Sequence, residues 1–213
     1  EGREGKGCVV VFASGNDNAA VSYPANANPD IIVVGSISRN GRRSSFSNYG
    51  TELDIVAPGE DVCSTTTHNG YALSINGTSF SCPTVAGIAA LVLSANPGLS
   101  QKDVKSILER TARKIGNYSY ATTSGRPNGT WNNEMGYGLA DASAAVLAAR
   151  SMPVNFVNKN IVADETIVAY SIFVQNVNVN NNAKLSLNAS ESIKIEPPFR
   201  VYSGSRLELK LIP

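Results

Sequence analysis

The rhythm of apolar and polar positions changes along the chain. Val9, Val10, Val11 and Phe12 form a continuous apolar run that ends at Ala13-Ser14-Gly15, the pattern of a strand buried on both faces. Ile31 to Val34 before Gly35, and Leu53 to Ala57 before Pro58-Gly59, repeat that signature. With helical patterns following, this part predicts an α/β core of parallel strands linked by loops. From Ser79 to Asn96 nearly every position is apolar or small, which predicts a helix buried all round, stopped by Pro97 and Gly98. Ser100 with Asp103 reads as a capping box ahead of Val104, Ile107, Leu108 and Thr111, an amphipathic helix ending before Gly116. A loop rich in Gly and Asn runs from Asn117 to Gly138, and Asp141 caps a helix through Ala149.

After Arg150 the helical spacing is lost. Ile167/Ala169, Ile172/Val174, Leu185/Leu187, Ile193/Ile195 and Leu207/Leu209/Leu211 alternate with polar residues, and Asn180-Asn181-Asn182, Pro197-Pro198 and Ser203-Gly204-Ser205 supply turns. The pattern suits a small sandwich or a few solenoid rungs. The expected boundary falls near residues 150 to 154, giving an α/β part over 1–150 and a small β module over 151–213.

Composition narrows the function classes. The 213 residues carry 18 Lys plus Arg against 17 Asp plus Glu, a net charge of +1, so there is no basic field to draw the chain to nucleic acid. Charged residues are 16% and hydrophobic ones 42%, which excludes a disordered chain. Cys8, Cys63 and Cys82 are odd in number and widely spaced, fitting neither a disulfide scaffold nor a paired zinc site, and each reads as a packing position. The longest apolar run, Val85 to Ala95, is interrupted by Gly87 and Ser94, so no membrane span is expected. The start at Glu1, with no Met and no signal segment, reads as a cut.

Candidate chemistry centres on Asn76-Gly77-Thr78-Ser79-Phe80-Ser81-Cys82-Pro83, which sets a serine at the first turn of the buried helix, beside unpaired helix-start N–H donors. A plain helix cap would explain a Thr-Ser pair equally well. The segment resembles the nucleophile motif of subtilisin-like serine proteases, and the likeness continues through Val85-Ala86-Gly87. Ala13-Ser14-Gly15-Asn16 resembles that family's oxyanion segment, Arg42 to Gly50 its proteinase K branch, and Gly136-Tyr137-Gly138 before Asp141-Ala142 its closing turn and helix. Four ordered matches over residues 8 to 150 make chance agreement improbable. The resemblance implies a partial subtilisin-like three-layer α/β fold with a parallel sheet, followed by a small all-β domain.

It also implies peptide-bond hydrolysis through an acyl-enzyme on Ser79, with the Ser79 N–H and the Asn16 amide holding the oxyanion. Ala13, Ser14 and Gly15 would line the pocket for the substrate side chain. Asn16 also suits an ordinary left-handed turn, and Asp17 and Asn18 read as turn residues. The family's Asp and His precede the serine, and neither motif occurs in these residues. The lone His68 lacks the family's His context, and Thr84 stands where many relatives carry a second His. The expected partners are therefore a protein or peptide substrate and the missing N-terminal half of the catalytic domain.

The stretch Tyr23-Pro24-Ala25 through Pro29-Asp30-Ile31, with Asp54, resembles the proteinase K calcium site, implying the Pro29 and Ile31 carbonyls and the Asp54 carboxylate as ligands of a structural Ca2+. A turn with Asp54 bonded to backbone N–H groups fits the same residues. The β tail resembles modules appended to secreted bacterial proteins, so a secreted or cell-surface bacterial setting is expected. The competing reading is a non-catalytic scaffold whose β tail binds a surface, glycan or protein partner.

Overall fold

The computed structural model describes residues 2–3 and 5–212. The chain divides into two compact units, one of Glu1–Val92 with Ser100–Val146 and one of Leu93–Leu99 with Leu147–Pro213.

The first unit is built on a three-stranded parallel sheet in the order β1-β2-β3, from β1 (Val11–Ala13), β2 (Ile32–Ile37) and β3 (Ile55–Pro58). The central β2 is buried along its whole length, as a continuous apolar run in a parallel sheet should be. β1 differs from the sequence reading of a strand buried on both faces. It covers only three residues, all half-buried, and Val10 is 42% exposed, because among the described residues β2 is the one strand beside β1, which forms an edge. A hairpin of β4 (Val62–Thr66) and β5 (Gly70–Ile75) leads into helix α1 (Thr78–Ala95).

Helix α1 buries Thr78, Ser81, Val85, Ile88, Ala89 and Val92, positions that recur every three or four residues along one face. The expectation of all-round burial is corrected: Thr84, Ala86, Gly87, Ala90 and Leu91 are exposed, since nothing among the described residues covers that side. The helix runs through Gly87 and Ser94, so in length and composition it could cross a membrane, with a mean hydropathy of 1.5. One such helix is weak evidence for a span, because the core helix of a folded domain passes the same test, and α1 packs its buried stripe in that manner. Helix α2 (Gln101–Thr111) starts at the expected box, with Ser100 and Asp103 each bonded to the other's backbone. Helix α3 (Ala142–Ser151) begins with the Asp141 carboxylate accepting from the Ala144 N–H at 2.9 Å.

The β tail is a parallel coil. Strands β6 (Val154–Ile161), β7 (Glu165–Val179), β8 (Lys184–Val201) and β9 (Arg206–Leu211) pair in chain order, all parallel. Three- and four-residue turns cannot carry a chain from one flat parallel strand to its neighbour, which takes about a dozen residues. The long β7 and β8 therefore supply the crossover themselves, slipping register at Ala169/Ser171 and Gln175/Val177 as they bend. Glu165 faces Leu185 and Lys184 faces Arg206, a repeat of 20 to 22 residues. Of the two architectures that the alternation allows, the all-parallel register selects solenoid rungs. Their interior is a single cluster including Phe156, Ile172, Val174, Val177, Leu185 and Leu187.

Candidate active site

Ser79 is the second residue of α1, and its side chain is exposed. The helix start is fastened to the sheet at two points. Ser81 Oγ donates to the Ala57 carbonyl at 2.9 Å, and the Gly77 N–H donates to the Gly59 carbonyl at 2.8 Å. Gly59 must be glycine for this approach, because a Cβ there would collide with the Ser81 and Ser36 hydroxyls.

Asn16 lies beyond the end of β1 and reaches the same helix start. Its Oδ1 accepts from both the Thr78 N–H and the Thr78 hydroxyl, each at 2.9 Å. The amide is thereby held by its acceptor end, and among the described residues no acceptor is paired with its Nδ2. The Ser79 N–H is likewise without an acceptor among them, as the first N–H groups of a helix are unless capped. The fold thus brings Ser79 to Asn16 through Thr78, which lies 62 residues from Asn16 in the chain. A hydroxyl beside a free helix-start N–H and an immobilised amide is an anion-accepting arrangement.

The Ala13–Gly15 strip leads into this point. Ser14 is buried, its N–H bonded to the Val34 carbonyl at 2.9 Å, and Gly15 takes φ +107°. A residue to which the sequence reading gave no role holds the strip. Asn48 is 2% exposed; its Oδ1 accepts from the Asp17 and Ala19 N–H groups at 2.9 and 3.1 Å, and its own N–H donates to the Gly15 carbonyl at 2.9 Å. Arg43 supports the same loop, donating to Asn18 Oδ1 and the Ser47 carbonyl while pairing with Glu134 at 2.9 Å. The Ser47-Asn48 segment was visible in the motif, but its contacts 29 and 31 residues away were not.

His68 sits at the tip of the β4–β5 hairpin, exposed and in a left-handed turn at φ +61°. About 17 Å of strand, at about 3.3 Å per residue, separates that turn from Ile75 at the Ser79 end. Thr84 donates to the Phe80 carbonyl and is exposed. The packing role read for Cys8 and Cys63 is corrected: both are exposed, Cys8 because the chain there precedes the sheet edge and Cys63 because the hairpin's outer face is open. Cys82 is half-buried, donates to the Val11 carbonyl at 3.6 Å, and has its thiol pKa pushed up by burial. Asn76 of the glycosylation-like triplet is a turn anchor, accepting from the Asp61 N–H at 2.9 Å.

Pro29, Ile31 and Asp54 converge on one side of the first unit, bordering a cavity of about 690 Å³ that does not include Ser79 or Asn16. The oxygens there are already engaged. Asp54 Oδ2 accepts from the Val33 N–H and from Lys105 Nζ, Asp54 Oδ1 accepts from Arg126, and the Ile31 carbonyl accepts from Lys105. As it stands, this donor set does not fit a calcium ion, which needs six to eight free oxygens. Neither Lys105 nor Arg126 was singled out from the sequence, since a lone lysine on a helix reads as a solvated residue.

The chain has relatives among known proteins. The model of the subtilase family matches residues 1–138. The chain belongs to the subtilase family. It is similar to alkaline elastase YaB of Bacillus sp. (strain YaB), 43% identical over 140 residues, which cover 65% of this chain and 33% of that protein. It is also similar to subtilisin Savinase of Lederbergia lenta, 43% identical over 141 residues, covering 66% of this chain and 46% of that one. Among solved structures, a protease from Pseudoalteromonas arctica PAMC 21717 superposes with a TM-score of 0.56 at 36% identity, over 67% of this chain and 43% of its own. The α/β unit is thus part of a subtilisin-like fold, and the chain spans a third to less than half of these subtilase relatives' length.

Proposed function

We propose that the protein is a serine endopeptidase in which Ser79 attacks the scissile carbonyl and forms an acyl-enzyme. The observation that carries this reading is the Asn16–Thr78 lock, which fixes an amide beside Ser79 with its donor end unused. Negative charge grows on the substrate oxygen only as the tetrahedral intermediate forms, so donors fixed beforehand favour the transition state over the bound substrate. The Asn16 Nδ2 and the Ser79 N–H are those donors, and Ala13, Ser14 and Gly15 receive the substrate side chain. The substrate class is protein or peptide, and the setting extracellular and bacterial.

Ser79 needs a base to take its proton. His68 is held away at a hairpin tip, so the base comes from polypeptide outside these 213 residues, carried by a segment that also covers the open face of α1 and the edge of β1. The opposing reading, a scaffold without catalysis, is favoured by the absence of a base near Ser79 among the described residues. Fluorophosphonate labelling followed by intact mass separates the two. The full-length protein should be labelled, Ser79→Ala should abolish the label, and the 213-residue chain alone should remain unlabelled. A full-length protein that resists the probe would establish the scaffold.

A further inference from the structure

The polar knot at Asp54 ties together four parts of the first unit. Asp54 precedes β3 and is 2% exposed, Lys105 and Glu109 lie on α2, Arg126 comes from the following loop, and Ile31 precedes β2. Lys105 Nζ donates to Asp54 Oδ2 at 2.5 Å and to the Ile31 carbonyl at 2.7 Å, and it stands 3.3 Å from Glu109 Oε1. Those three oxygens use all three N–H bonds of the ammonium. Arg126 Nη1 donates to Asp54 Oδ1 at 2.7 Å, and its Nη2 donates to the Thr51 carbonyl. The Lys105 and Arg126 side chains are 16% and 15% exposed, so two cations and two carboxylates balance one another largely away from water.

A divalent ion at the Ile31 carbonyl and Asp54 would have to displace the ammonium from both oxygens at once, beside a guanidinium that repels it. The ammonium also does what a structural metal would do, drawing separate oxygens around one positive centre. Its position is fixed by its own helix, because the Ser100–Asp103 box sets the start of α2 and Glu109 lies one turn beyond Lys105. We propose that Lys105 is the resident cation of this locus, a chain-borne ammonium that replaces a divalent ion and frees this part of the fold from calcium.

The single tryptophan offers a local reporter. Trp131 donates to the Leu53 carbonyl at 2.8 Å, and its ring centroid lies 5.1 Å from the Arg126 guanidinium carbon, so a lanthanide seated at Asp54 would be sensitised through it. Terbium titrated into the 213-residue chain under tryptophan excitation should give no saturable, calcium-displaceable luminescence up to about 1 mM, the weak end of extracellular calcium modules. Lys105→Ser should acquire such a signal together with a calcium-dependent rise in Tm, and adding Asp54→Asn should remove both. A saturable, calcium-displaceable signal in the unsubstituted chain would overturn the proposal, as would a folded Lys105→Ser variant that binds no terbium. Should Lys105→Ser not fold, the titration of the unsubstituted chain decides alone.

Discussion

Asn16 is fixed through its oxygen, and that choice of atom has a chemical consequence. With Oδ1 taken by the N–H and hydroxyl of Thr78, the amide cannot flip without losing two hydrogen bonds, so its NH2 keeps one direction. Leucine at position 16 keeps the volume and removes the donor. In the full-length protein Asn16→Leu should lower kcat by about 10²–10³ with KM little changed, because the donor acts only on the transition state. That magnitude is established for the oxyanion amide of the subtilisin family. Steady-state kinetics on a peptide substrate checks it, and an unchanged kcat would remove Asn16 from the site. The roles proposed for Ser79 and Asn16 rest on short motifs, since a Gly-Thr-Ser turn and a strand-end Asn are local patterns. The contacts of Asn48, Lys105 and Arg126 were not legible in the sequence, because a buried asparagine and a paired cation meet partners 31 to 74 residues away.

At the scale of elements, hydrophobic runs located the strands, and neighbours decided how deeply they are buried. Val33 and Phe12 belong to similar apolar runs, yet β2 has a strand on each side and β1 on one, so only β2 is fully enclosed. The same limit applies to the tail. Period-two alternation fixes which side chains face inward but carries no strand direction, so it could not separate antiparallel sheets from parallel rungs. The rungs have their own requirement: a strand in the middle of a coil is packed from both neighbouring rungs. Leu187 is fully buried, pairs across with Ile167 and Leu209, and belongs to the interior cluster. Leu187→Ala should cost about 2–5 kcal/mol, the range for a leucine cavity that cannot collapse. Leu211, 65% exposed on the last strand, should tolerate alanine within about 0.5 kcal/mol. Urea melts of the two variants, followed by far-UV circular dichroism, test the pair; equal losses would contradict the rung model of the interior.

Across the whole molecule the formal charge nearly cancels, at +1, so the pH dependence of stability comes from particular buried groups rather than from general repulsion. Glu109 is the clearest of them. It is 3% exposed, and burial first, then the nearby Asp54 carboxylate, raises its pKa above the ordinary carboxyl range, against the opposing pull of Lys105 and the Asn128 amide. The folded chain therefore keeps this proton to a higher pH than the unfolded chain does. Between the ordinary and the raised value the native state binds more protons, and stability falls as pH rises through that window. Most carboxylates act in the opposite sense, so the effect is read as a difference. Glu109→Gln keeps an acceptor for Lys105 but cannot ionise. The gap in Tm between Glu109→Gln and the unsubstituted protein should shift in favour of the variant from about pH 4 to about pH 8, with the change centred above the ordinary glutamate value of about 4.3. A gap that stays constant would mean that Glu109 titrates alike in the folded and unfolded chains, and one that moves the other way would mean that Lys105 and the Asn128 amide outweigh burial and favour the ionised form.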